Sequence, residues 1–193
     1  MRKLFAAVLG CAVIATASLV SAAPKDEPKI IVPYVPTHHK VVEAMLKLAA
    51  VKEGETVYDL GCGDGRIVIA AVKDFKAKKG LGIDFNPERL KDCTASVAAA
   101  KLTADQEKSL TFKQGDVLKM TPDDFKGVDV VTLYLLPSVN RELKPVLLKG
   151  LKPGARVVSH DFDMGEDWKE DKKIEVDADR THTVYLWTIP AAK

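Results

Sequence analysis

An acid and three alternate glycines, Asp59, Gly61, Gly63 and Gly65, stand directly ahead of an apolar run from Ile67 to Val72. Glycine at such positions opens backbone dihedrals closed to other residues and lets a ligand approach where a Cβ would clash. The dinucleotide pattern G-x-G-x-x-G looks similar but would put glycine where this chain has Arg66, so that reading fails at its third glycine. A second acid, Asp84, follows about 20 residues on, at the end of another apolar stretch, where a carboxylate is placed to hold two ribose hydroxyls. A third, Asp116, follows Gly115, and Tyr134, His160 and Asp161 add an aromatic ring, an imidazole and a carboxylate further along. Three acids at three strand ends describe one rim, as ligand sites at the carboxyl ends of parallel strands require.

The elements that must carry these residues follow from periodicity and punctuation. Strands are expected at 56–60, 81–83, 110–113, 128–133 and 155–159, with two closing strands near 174–176 and 183–189. Helices are expected at 66–75, broken by Lys78-Lys79-Gly80, at 88–101 behind the Asn86-Pro87 cap, and at 139–148; a polar connection through Asp105 precedes the third strand. An earlier helix, capped by Thr37 and apolar at Val41, Val42, Met45, Leu46, Leu48 and Ala49, is expected to cover the glycine loop. His38 and His39 in its first turn read as solvated or capping. Trp168, in an acidic loop at 163–172, and Trp187 read as packing residues.

With 193 residues the chain is long enough for one well-buried domain. A content of 47% hydrophobic and 29% charged residues excludes disorder as the main theme. The net charge of +2 is carried by Arg2 and Lys3, since residues 1–22 contain no acid. A balanced remainder argues against a partner bound through phosphate neutralisation. Met1-Arg2-Lys3, an apolar stretch from Leu4 to Val20 and the small residues Ser21-Ala22-Ala23 read as a signal peptide over 1–22, cut after Val20-Ser21-Ala22, or as an anchor if uncleaved. Residues 23–36 then read as an extended linker, and 37–193 as the folded domain. The expected location is periplasmic or secreted, or membrane-anchored. Cys62 in the glycine turn reads as a small residue tolerated in a tight loop rather than a reactive thiol, and no Cys/His grouping has metal-ligand spacing.

The motif Asp59-Leu60-Gly61-Cys62-Gly63-Asp64-Gly65 resembles that of the class I, seven-strand S-adenosylmethionine-dependent methyltransferases. With Val32-Pro33-Tyr34-Val35-Pro36-Thr37 and Tyr134-Leu135-Leu136-Pro137-Ser138-Val139, it resembles bacterial relatives of a group of protein-lysine methyltransferases whose eukaryotic members modify ATP synthase subunit c and adenine nucleotide translocase. The resemblance implies an α/β, Rossmann-like fold with a mostly parallel seven-stranded sheet, one antiparallel strand and helices on both faces. It implies S-adenosyl-L-methionine as cofactor, held by Asp59 near its amino group, by Gly61, Cys62, Gly63 and Gly65, by Asp84 and Phe85 at the ribose, and by Asp116 and Val117 at the adenine. It also implies in-line methyl transfer, with Tyr134 lining the mouth and His160 or Asp161 taking the departing proton. The expected acceptor is a protein lysine, near a membrane, with no nucleic acid and no metal. The alternatives are a small-molecule O- or N-methyltransferase and an exported, non-catalytic nucleoside-binding domain of the same fold. Against export stands the cytosolic origin of the cofactor.

Overall fold

The computed structural model describes residues 34–191; the signal segment and most of the linker lie outside the described residues. Seven strands form one sheet in the order β3-β2-β1-β4-β5-β7-β6. In chain order they are β1 (Thr56–Leu60), β2 (Lys79–Asp84), β3 (Leu110–Gln114), β4 (Val130–Leu133), β5 (Arg156–His160), β6 (Lys172–Asp177) and β7 (Thr181–Thr188). The first five strands are parallel, and β7 runs antiparallel between β5 and β6. The single antiparallel strand is thus one place in from the edge.

Continuous apolar runs such as Val130-Val131-Thr132-Leu133, buried throughout, are what a parallel sheet covered on both faces requires. On one face Tyr58, Leu60, Val131 and Leu133 pack against Val139, Leu143 and Leu147 of α5 (Pro137–Gly150). On the other, Val57 and Val130 meet Val41, Val42, Met45 and Leu46 of α1 (His39–Leu48) and Ile67, Ala71 and Val72 of α2 (Arg66–Asp74). Strand alternation puts Asp59 and Thr132 on this second face, side by side in register. Leu60 is level with Ile83 and with Leu133, which is level with Ser159. The residues one step further, Gly61, Asp84, Tyr134 and His160, therefore share one end of the sheet.

Three local expectations change. His38, not Thr37, caps α1, accepting from the Lys40 amide, because the Thr37 hydroxyl is engaged elsewhere. Helix α2 ends at Asp74, and Lys79-Gly80 already belongs to β2. After α3 (Pro87–Ala99), the polar connection holds a short helix, α4 (Ala104–Lys108), stabilised by a capping box between Thr103 and Gln106. Among the described residues no helix is long and apolar enough to cross a membrane.

Candidate cofactor and acceptor site

The sheet reverses its winding between β1 and β4, the place where open α/β sheets bind ligands. A cavity of about 480 Å³ lies there, within the range of small-molecule pockets. The loop after β1 forms its floor. Gly61, Gly63 and Gly65 have φ of +79°, +54° and +79°, the left-handed region. The Gly61 and Cys62 amides both donate to Ile83 O, at 2.8 and 3.0 Å, which ties the loop to β2. A Cβ on Gly63 would sit 2.5 Å from the Tyr34 ring, and one on Gly65 would sit 2.5 Å from Phe112. Both positions thus need glycine for space as well as conformation.

Asp84 closes β2 with its carboxylate fixed from two sides, by the Gly63 amide at 2.8 Å and the Asn86 amide at 2.9 Å. A carboxylate has about four lone-pair sites, so acceptor capacity remains for a diol in the cavity. Asp116 caps the turn Val117–Lys119 by accepting from Leu118 N at 3.0 Å. Phe85, Asp116 and Val117 line the cavity beside Asp84. Asp59 is 2% exposed and accepts a 2.7 Å bond from Thr132 Oγ1. Burial, with Asp84 and Asp64 nearby, raises its carboxyl to about 7 against the Thr132 bond that lowers it. An arriving ammonium would restore its charge.

Cys62 is buried beneath the loop, where the Cys93 thiol and burial push its own thiol well up. Tyr34, Pro36 and Thr37, in or beside the stretch read as linker, form part of the cavity wall. Tyr34 stacks under Arg89 at 4.3 Å, and Arg66 donates to Thr37 O at 2.7 Å while gripping Asp64. The wall is thus the segment leading into α1; the helix itself packs on the sheet.

At the other end of the cavity stand Tyr134, just past β4, and Phe162, with rings stacked 6.1 Å apart. His160 and Asp161 come to the same strand end but not into the wall. His160 is 1% exposed, with its ring 3.8 Å behind that of Tyr134. Asp161 has φ +60° and accepts from Thr183 N at 3.0 Å and from Arg180. Burial would raise the Asp161 carboxyl; the Arg180 and Thr183 bonds outweigh it and hold it below the usual range. The structure also gathers His182 against His160, a neighbour sequence spacing did not reveal.

Whether these residues fit a methyl-donor cofactor can be judged from the wall itself. It offers a buried acid suited to an ammonium, a fixed carboxylate with spare acceptor capacity suited to a diol, and a glycine loop whose backbone lines the cavity. The profile of the ANTKMT methyltransferase domain matches residues 59–172. The chain belongs to this family.

Within and around the family, a protein-lysine N-methyltransferase of Saccharolobus islandicus (strain REY15A) is 46% identical over 82% of this chain and 94% of its own length. The adenine nucleotide translocase lysine N-methyltransferase of Mus musculus is 35% identical over 68% of this chain and 53% of its own. Among solved structures, an RNA methyltransferase from Salinibacter ruber in complex with S-adenosyl-L-homocysteine is 45% identical, with TM-score 0.71 over 82% of this chain and 96% of that one. This chain is an S-adenosylmethionine-dependent methyltransferase with the seven-stranded, Rossmann-like fold.

Proposed function

We propose that the enzyme methylates the ε-amino group of a protein lysine. The observation that carries this reading is the aromatic mouth: Tyr134 and Phe162, their rings nearly parallel and 6.1 Å apart, both line the cavity, and aromatic rings suit a methylated ammonium. The even balance of basic and acidic residues beyond residue 22 argues against a phosphate backbone as acceptor, which calls for clustered Lys and Arg. The lysine methyltransferases among the relatives support the same reading.

S-adenosylmethionine supplies a methyl group on a sulfonium, taken by direct in-line displacement. The protein's part is positioning and electrostatics. An amine must arrive neutral, and Leu135, Leu136 and Phe162 in the wall desolvate it, which lowers its pKa from about 10.4. Asp84 and Asp116 would hold the ribose and adenine ends, Asp59 the amino group, and Tyr134 would border the acceptor. His160 and Asp161, behind the wall, would support Tyr134 rather than meet the acceptor. We also infer that residues 1–22 direct the chain to or across a membrane; a reporter fused after Ala23 tests this.

The similarity to an RNA methyltransferase makes RNA the competing acceptor. Transfer of labelled methyl groups into the lysate of a strain lacking the gene, read by gel and mass spectrometry, separates the two. Label on lysine is expected; label confined to RNA or to small molecules overturns the reading.

A further inference from the structure

Behind Tyr134 a chain of hydrogen bonds runs from solvent to the cavity wall. Asp179, whose side chain is 65% exposed, meets His182 Nε2 at 2.9 Å. His182 Nδ1 lies 2.8 Å from His160 Nε2, and His160 Nδ1 lies 3.2 Å from the hydroxyl of Thr37. The two histidines and Thr37 are buried, and Thr37 lines the cavity.

The direction of these bonds follows from their outer end. A carboxylate can only accept. The His182 bond and its own backbone amide hold the Asp179 carboxyl below the usual range, so it is ionised and His182 carries its proton on Nε2. The Nδ1 of a singly protonated His182 must then accept, so His160 donates from Nε2 and is left with a bare Nδ1. That nitrogen can only accept, and Thr37 must donate to it. Asp161 Oδ2 lies 3.4 Å from His160 Nε2 and 3.5 Å from His182 Nδ1, so it does not choose between them, and Arg180 and the Thr183 amide already satisfy its charge; the direction is set by Asp179. The Thr37 hydroxyl hydrogen is thus turned inward, and its lone pairs are left for the cavity.

We propose that Thr37 Oγ1 accepts a hydrogen bond from the incoming acceptor amine, turning the amine's lone pair toward the methyl group, and that His160, His182 and Asp179 are positioning residues that fix the polarity of this hydroxyl. The same His160 ring backs Tyr134, so one imidazole sets both the polar and the aromatic contact of the acceptor. The proposal rests on the lysine reading for the identity of the amine. It adds Thr37 to the acceptor site and gives a task to two residues outside the cavity.

Long-range proton–nitrogen spectra of the 15N-labelled protein at neutral pH test the polarity without any substrate. His160 is expected as the Nε2–H tautomer; an Nδ1–H tautomer overturns the proposal, with the lysine reading untouched. In methyl-transfer assays Thr37→Val is expected to lower kcat at least tenfold with S-adenosylhomocysteine affinity within twofold, and Thr37→Ser to recover most of the loss. His182→Leu should fall with Thr37→Val, and His182→Asn, whose amide oxygen can accept from His160, should recover much of it. S-adenosylhomocysteine binding verifies that each variant is folded. A Thr37→Val enzyme with unchanged kcat, or equal losses in His182→Leu and His182→Asn, overturns the proposal. Label found on RNA instead of lysine overturns the amine's place in it, while the tautomer result stands.

Discussion

The amide of Gly63 donates to the carboxylate of Asp84 at 2.8 Å, so the loop after β1 and the end of β2 grip each other before any ligand arrives. Replacing Asp84 with alanine removes this anchor together with the charged acceptor proposed for the ribose. Charge-assisted hydrogen bonds contribute about 1.5–3 kcal/mol, so affinity for S-adenosylhomocysteine should fall roughly ten- to 150-fold. Titration calorimetry checks this, and unchanged affinity would remove Asp84 from the ribose.

The glycine loop predicts a graded series. Gly63→Ala imposes left-handed strain of about 1–2 kcal/mol and drives a Cβ to 2.5 Å from Tyr34, which must swing off Arg89. Gly54→Ala carries the strain at φ +87° but meets nothing within 4 Å. Both variants should melt earlier than the parent, and only Gly63→Ala should also lose cofactor affinity.

Acid titration should show two opposed contributions. Burial raises Asp59 from 3.8 to about 7, so its stabilisation is full when protonated and fades as pH climbs through that window. Burial lowers His160 from 6.5 to about 4, so its contribution is full above about 6.5 and is lost as pH falls toward 4. Asp59→Asn removes the first contribution alone, and its melting temperature should drop more steeply on acidification than the parent's. In the parent, cofactor affinity should rise as pH passes about 7 and Asp59 ionises; the asparagine variant should show no such rise.

Cys62 and Cys93 are buried, and the Cys93 thiol together with burial pushes the Cys62 thiol up. Thiolate is the reactive form. Iodoacetamide at neutral pH should therefore leave both unmodified in the native protein and label both after denaturation, as followed by mass spectrometry. Rapid native labelling of Cys62 would contradict its burial.

The loop from Asp59 to Gly65 was legible in the sequence because its signal is local: an apolar strand, glycines with positive φ, then a helix. Asp84 and Asp116 were legible for the same reason, the one closing β2 and the other lying two residues past the end of β3. Tyr34 and Thr37 were not, since a Pro-rich segment without periodicity gives no sign of which surface it lies on. His182 was hidden by topology: only the antiparallel placement of β7 beside β5, with His160 opposite Val184, brings it to His160. Helix α4 did carry a legible mark, Thr103 with Gln106 three residues on, but in a stretch too polar to suggest burial.

Arg66 occupies the position that a dinucleotide turn would give to glycine. Its guanidinium holds Asp64 in the loop and the Thr37 carbonyl in the opposite wall. One side chain thus ties the glycine loop to the segment that carries Thr37. The two walls are therefore braced against each other before any ligand is present, so that losing this one guanidinium would loosen both at once.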